Sequence, residues 1–288
     1  MMKTISKTKA FKITVAIFVL VTTAYVALWS TGFFLIDSLA QHYIFDREAR
    51  LGRKWECIER KASGFLVTLG YDCIKASVTT VGRDGLVKVA VGGLSARWDI
   101  ARPNQLALHA LSPAQISIGE KDTAQQISWT TLEVSLSVSS RSTQSLYLNG
   151  VDIRSATPRY NGEYDVGISQ LKATIYLRPS EFETRELQAT LIATGISAGA
   201  LDKVFGDDVA SNFSSELLLK RAERLLGQGA PLEKLERWRS AEGTLLFDNL
   251  NFTRGRLRVE ATGKLELDAA RRPQGQISGR AAGLSSLL

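Results

Sequence analysis

Two cysteines are the residues whose chemistry is easiest to specify: Cys57 in "KWECIER" and Cys73 in "LGYDCIK", with fifteen residues between them. In an oxidising compartment such a pair joins two neighbouring strands as a disulfide, a cross-link contributing about 3 kcal/mol for a loop of this size. Two buried thiols is the other reading. A zinc site needs three or four ligands, and neither His42 nor His109 stands at a ligand spacing from either cysteine. Proton transfer by histidine has only His109, in "LALHALSP", as a serious candidate, and its place near a strand end fits a structural or surface role better. Serines are frequent, but no G-x-S-x-G elbow appears, and "GQGAP" at Gly227 lacks the lysine and hydroxyl of a phosphate loop. The carboxylates Glu163, Asp165, Asp202, Asp207 and Asp208 read as mixed-charge loops, with Asp207 and Asp208 suited to a helix start. The inventory points to a protein that is not an enzyme, with no metal and no cofactor. A hydrolase would have to rest on His109 or an acidic pair.

The elements that position these residues are chiefly strands. Beyond Trp55, apolar and polar side chains alternate with period two. In "TLEVSLSVSS", Leu132, Val134, Leu136 and Val138 face one way, and Glu133, Ser135 and Ser137 the other. "KATIYLRP" repeats the pattern through Ala173, Ile175 and Leu177, and "GRLRVEATGKLELD" through Leu257, Val259, Ala261, Leu265 and Leu267. Turn residues punctuate the runs, and the short connections favour antiparallel hairpins. "SSELLLKRAERLL", 214–226, breaks the pattern and predicts a helix with Leu218, Ala222, Leu225 and Leu226 on one face. A second helix is predicted in "PLEKLERWR", with Pro231 in its first turn and Gly243 after it. The fold class read from this is α+β, mainly β: long antiparallel curved sheets with a short helical pair, preceded by one transmembrane helix. The divisions are a basic tail at 1–12, an anchor at 13–36, a membrane-proximal segment at 37–54, a β-rich part at 55–200, a helical insertion at 201–241 and a C-terminal β-rich part at 242–288.

Between Ile13 and Ile36 no side chain is charged, and as a helix the run spans roughly 36 Å, enough to cross a hydrocarbon core. Lys3, Lys7, Lys9 and Lys12 precede it without an acid, which predicts a cytoplasmic N-terminus and an exported body at a bacterial inner membrane. Ser38 and Ala40 in "SLAQ" also fit a signal-peptidase site, so cleavage after Ala40 is the competing reading. The formal charge of +7 belongs largely to that flank: without its four lysines, 32 basic residues face 29 acidic ones. No basic stripe interleaves with aromatics, so no nucleic-acid partner is expected.

"WECIERKASGFLVTLGYDC" resembles the corresponding segment of the bacterial domain-of-unknown-function family 2125. The C-terminal "LERWRSAEGTLLFDNLNFTRGRLRVEATGKLELDAARRPQGQISGRAAGL" resembles it too, through Trp238, Gly243, the "ATGKLELDA" strand and the "RPQGQISG" return. The resemblance spans most of Trp55 to Leu288 and implies one N-terminal anchor and a periplasmic body, with no catalytic residues. The C-terminal pattern is also similar to AsmA-like envelope proteins, which implies an apolar sheet surface that handles lipid.

The function expected is therefore that of an inner-membrane-anchored periplasmic protein of the cell envelope whose apolar sheet face binds lipid or acyl chains. Leu132, Val134, Leu136 and Val138, with Ile175 and Leu177, are the candidate strip. A closed core is the alternative for each. The alternative function is a scaffold that holds an envelope protein by a sheet edge or by the 214–239 helices.

Overall fold

Period-two alternation is what the backbone follows from Arg53 onward. In the computed structural model, which describes residues 7–42, 53–65, 67–82, 85–119, 125–138, 144–156, 166–179, 185–225 and 230–284, thirteen strands form one antiparallel sheet. They are β1 (Arg53–Phe65), β2 (Thr68–Gly82), β3 (Gly85–Asp99), β4 (Gln105–Ile118), β5 (Gln125–Ser128), β6 (Thr131–Val138), β7 (Gln144–Ala156), β8 (Val166–Pro179), β9 (Arg185–Ala198), β10 (Ser211–Leu219), β11 (Leu245–Arg254), β12 (Leu257–Leu267) and β13 (Pro273–Ala282). Their order in the sheet is their order in the chain, and β5 and β6 share the place between β4 and β7. The N-terminal helix α1 runs from Lys7 to Ala40.

Several of the strands reach 13 to 15 residues, well beyond the usual length of about five or six. A transverse line of irregularities breaks them. Lys75, Asp152 and Gly195 adopt left-handed backbone at φ 52, 51 and 64. The β3–β4 register shifts between Val91 and Gly93, opposite Ser112 and Pro113. Pro113 has no N–H to give a ladder, so the pairing must yield there. Trp129, in the gap between β5 and β6, is buried over the break: its backbone N–H donates to Ser112 Oγ (3.1 Å) and its indole N–H to Ala110 O (2.8 Å).

An odd residue inserted in a strand reverses which face its continuation shows. Cys73 and Ala76, Leu94 and Val91, Gly150 and Ile153, and Ala193 and Ile196 each lie three residues apart across the line, yet they share a face. Two contacts establish it. Cys57, in register with Ala76, is disulfide-bonded to Cys73 (S–S 2.08 Å). A Cβ built on Gly150 would lie 2.6 Å from Ile153 Cδ1 and 3.5 Å from Leu132 Cδ1.

The helix predicted at 214–226 is not formed. Ser211–Leu219 is strand β10, pairing Phe213 with Ala193 on β9 and with Phe252 on β11, and only Ala222–Arg224 winds a short 3-10 turn. Phe213, Ser215, Leu217 and Leu219 alternate as well as the leucines repeat helically, and two open ladders outweigh local helix preference. The 201–241 insertion therefore divides, with a strand of the main sheet between two helices. The first, α2 (Gly199–Phe205), ends on Gly206 at φ 72. The second, α3 (Pro231–Ser240), matches the prediction. Its buried Trp238 donates its indole N–H to Lys220 O at 2.8 Å and lies so close over Gly243 that a Cβ there would enter the ring.

Arg254 clips α2 to the sheet: its buried guanidinium meets Asp202 at 2.7 Å and Asp207 at 2.6 Å, and lies 5.2 Å from the Phe205 ring centroid. On the polar side of the first strands, Asp72 meets Arg97 at 2.7 Å. Partial burial raises the Asp72 pKa, but the Arg97 hydrogen bond and its charge outweigh it, leaving the carboxyl below its ordinary value.

Replacing both cysteines by alanine is expected to lower unfolding free energy by about 3 kcal/mol in denaturant titrations, because the unfolded chain regains the loop's freedom. Since the folded pKa of Asp72 lies below its unfolded one, its contribution is present above about pH 4 and fades as pH falls through the folded value. Asp72→Asn should flatten the acid limb of a stability–pH curve.

Candidate functional site

Register partners in an antiparallel sheet share a face, so each row across the strands can be read as a composition. One row runs Gly64, Leu69, Trp98, Leu106, Leu136, Leu146, Ile175, Ala189, Leu217, Phe247, Gly263, Ile277, from β1 to β13. Its one polar group is the Trp98 indole N–H, which donates to Pro103 O at 3.0 Å. Two residues along the strands, the next row on the same face includes Leu108, Val134, Leu148, Ala173, Leu191 and Leu250, with only the hydroxyls of Tyr71 and Ser215 among twelve positions. One residue further along the strands, the next row, on the opposite face, runs Lys61, Asp72, Ser95, His109, Glu133, Asn149, Lys172, Ile192, Ser214, Asn251, Glu260, Arg280. Only Ile192 there is apolar. Beyond the transverse line the apolar face continues through Cys57, Ala76, Val91, Ala114, Ile127, Ser155, Val166 and Ala198.

This face is not a closed core. In the first row only Leu69 is buried. All six residues of the candidate strip lie on this face. Leu132, Val134 and Leu136 stand beside Gly150, Leu148 and Leu146, and these stand beside Leu171, Ala173 and Ile175. Val138 and Leu177 flank Gln144 at the edge, and Val138 is 54% exposed while the other five are half-buried. Sequence reasoning missed the rest of the face. Leu106, Leu108, Leu146, Leu148 and Leu191 alternate in their own strands, but only the register shows that they extend the strip.

The groups considered for reactive chemistry are dispersed. His109 faces its register partner Glu133 on the polar side, Nδ1 to Oε1 3.2 Å, with both side chains substantially exposed. Asp202 and Asp207 are held by Arg254. Glu163, Asp165 and Gly227 lie outside the described residues. Among the described residues no three of His, Cys, Asp and Glu gather in a way that could hold a metal ion. Beside the transverse line are two clefts of about 400 Å³ each, one lined by Asp152, Arg154, Ser169 and Ser197, the other by Glu56, Lys75, Lys88 and Gln115.

Within α1, Thr14–Gly32 has a mean hydropathy of 1.8 over 19 residues, long and apolar enough to cross a membrane. The last residue of that segment and the residue just after α1 touch the sheet. Gly32 lies against Leu69, and Gln41 Oε1 accepts a hydrogen bond from Arg60 Nη1 at 2.6 Å.

No curated protein and no solved structure matches the chain. The sequence model of a family described as uncharacterized proteins conserved in bacteria matches residues 40–288, which takes in every strand of the sheet. The protein therefore belongs to the bacterial domain-of-unknown-function family 2125.

Proposed function

We propose that this is a membrane-anchored, non-enzymatic protein of the bacterial envelope whose open sheet face takes up acyl chains. The observation that carries the reading is the row from Gly64 to Ile277: twelve successive strand positions without a charged side chain, eleven of them not buried. Contiguous exposed apolar surface on this scale marks a surface that meets lipid or another macromolecule. Each methylene withdrawn from water contributes about 0.8 kcal/mol, so a hydrocarbon tail needs a dry strip and no reactive group.

An inner-membrane anchor with a periplasmic body fits the lysines before the apolar helix and the Cys57–Cys73 bond. The similarity of the C-terminal strands to AsmA-like proteins belongs with this proposal. A second reading has its own observation: β13 is exposed along all ten residues and leaves one side of its backbone ladder open, an edge to which a partner strand could add.

Native mass spectrometry of the purified full chain tests the choice. Phospholipid is expected to co-purify, and Val134→Asp or Leu148→Asp is expected to abolish it, while Glu133→Gln on the polar face leaves it unchanged and thermal melts report whether each variant is folded. Retention of lipid by folded Val134→Asp, or a stoichiometric protein in place of lipid, would overturn the reading.

A further inference from the structure

The two contacts between α1 and the sheet carry an orientation. From Gly32 to Gln41 the helix advances nine residues, about 13.5 Å. Gly32 lies against Leu69, whose register partner is Gly64, and Gln41 binds Arg60. From Gly64 to Arg60 a strand advances about 13 Å. Matched advances between these two contacts fit an end of α1 that runs alongside β1 and β2 instead of crossing them. The sense is also defined: α1 meets the sheet first at the end carrying the β1–β2 turn and then proceeds toward the transverse line.

Gly32 closes the Thr14–Gly32 segment and lies four residues before the end of the uncharged run at Ile36, so Leu69 stands near the exit end of the apolar helix. The turn before Leu69 and the β3–β4 loop beside it extend further toward the hydrocarbon. Their tips are Val67, 57% exposed, and Ile100, 48% exposed, tied together by the Ile100 N–H donating to Val67 O at 2.8 Å. Trp98, with its indole N–H occupied by Pro103 O, stands in the row just behind them. The opposite end of the sheet has apolar tips too, Val81 at 76% exposed and Ile118, so tip composition alone does not choose an end. The α1 contacts do.

We propose that the sheet edge carrying Val67 and Ile100 docks into the headgroup layer of the phospholipid bilayer spanned by α1, so that the apolar face opens at that end onto its own membrane. The docking stands on the α1 geometry. The further step, that acyl chains enter the face from this leaflet, rests on the lipid-binding function proposed above. Strands aligned with the anchor axis give a lipid tail a continuous apolar path from the bilayer, beginning at Trp98 and Leu106 beside the Leu69 that α1 covers.

A photo-crosslinking amino acid at Val67, Ile100, Val81 or Ile118 of the full chain, reconstituted in liposomes of phosphatidylethanolamine and phosphatidylglycerol, tests the proposal. Phospholipid adducts are expected at Val67 and Ile100, with loss of signal to background at Val81 and Ile118. Equal labelling at both ends, or labelling at Val81 and Ile118 alone, would overturn it. The crosslink at Val67 repeated in a Val134→Asp background separates the two readings. Adducts that persist there support docking apart from lipid carriage, whereas adducts that vanish with the carried lipid would refute docking.

Discussion

Pleat parity governs this molecule. A strand shows its side chains to two faces in strict turn, and a charged residue that strays onto an apolar face loses its water without gaining a partner. Over four or five residues that alternation is easy to keep. Over strands of 13 to 15 residues, twist accumulates and the sheet has to coil, which it does through inserted residues. Each insertion exchanges the faces beyond it. The aligned irregularities near Lys75, Gly92, Pro113, Trp129, Asp152 and Gly195 make the strands change together, so the two compositions stay largely separate, and Arg60, on the apolar side, is met by Gln41. A single strand out of step would place residues such as Arg154 among Ile127, Ile168 and Val166.

The two local clusters serve the same separation at the sheet's later strands. β10 brings Leu217 and Phe213 into the apolar rows, but its connections to β9 and β11 need helical segments, which must be fixed without covering the face. Trp238 fixes α3 through Lys220 O, and Arg254 fixes α2 through Asp202 and Asp207. A buried guanidinium with its charge met by two carboxylates retains its hydrogen bonds and can replace an apolar core at that corner.

Much of this was legible in residue order. The alternation of Leu132, Val134, Leu136 and Val138 marks a two-faced strand without further information, the cysteine pair signals neighbouring strands, and the Trp55–Cys73 and C-terminal motifs carry the family resemblance. The β10 segment was not legible, because "SSELLLKRAERLL" satisfies both a helical and a strand period, and the decision belongs to the open ladders of β9 and β11. The full width of the apolar face was hidden for another reason. Its small members, Gly150, Ala189 and Gly263, carry little hydrophobic signal alone and acquire meaning only from the leucines beside them. The reversals at Lys75 and Asp152 were hidden as well, since neither residue type announces a left-handed backbone.

The meander order has a kinetic consequence. Among the described residues no ladder joins segments distant in the chain, so each new hairpin can pair as soon as its two strands have been made. Assembly can proceed by addition to the last strand, beginning beside α1, and the growing polypeptide never has to wait for its far end to find a partner.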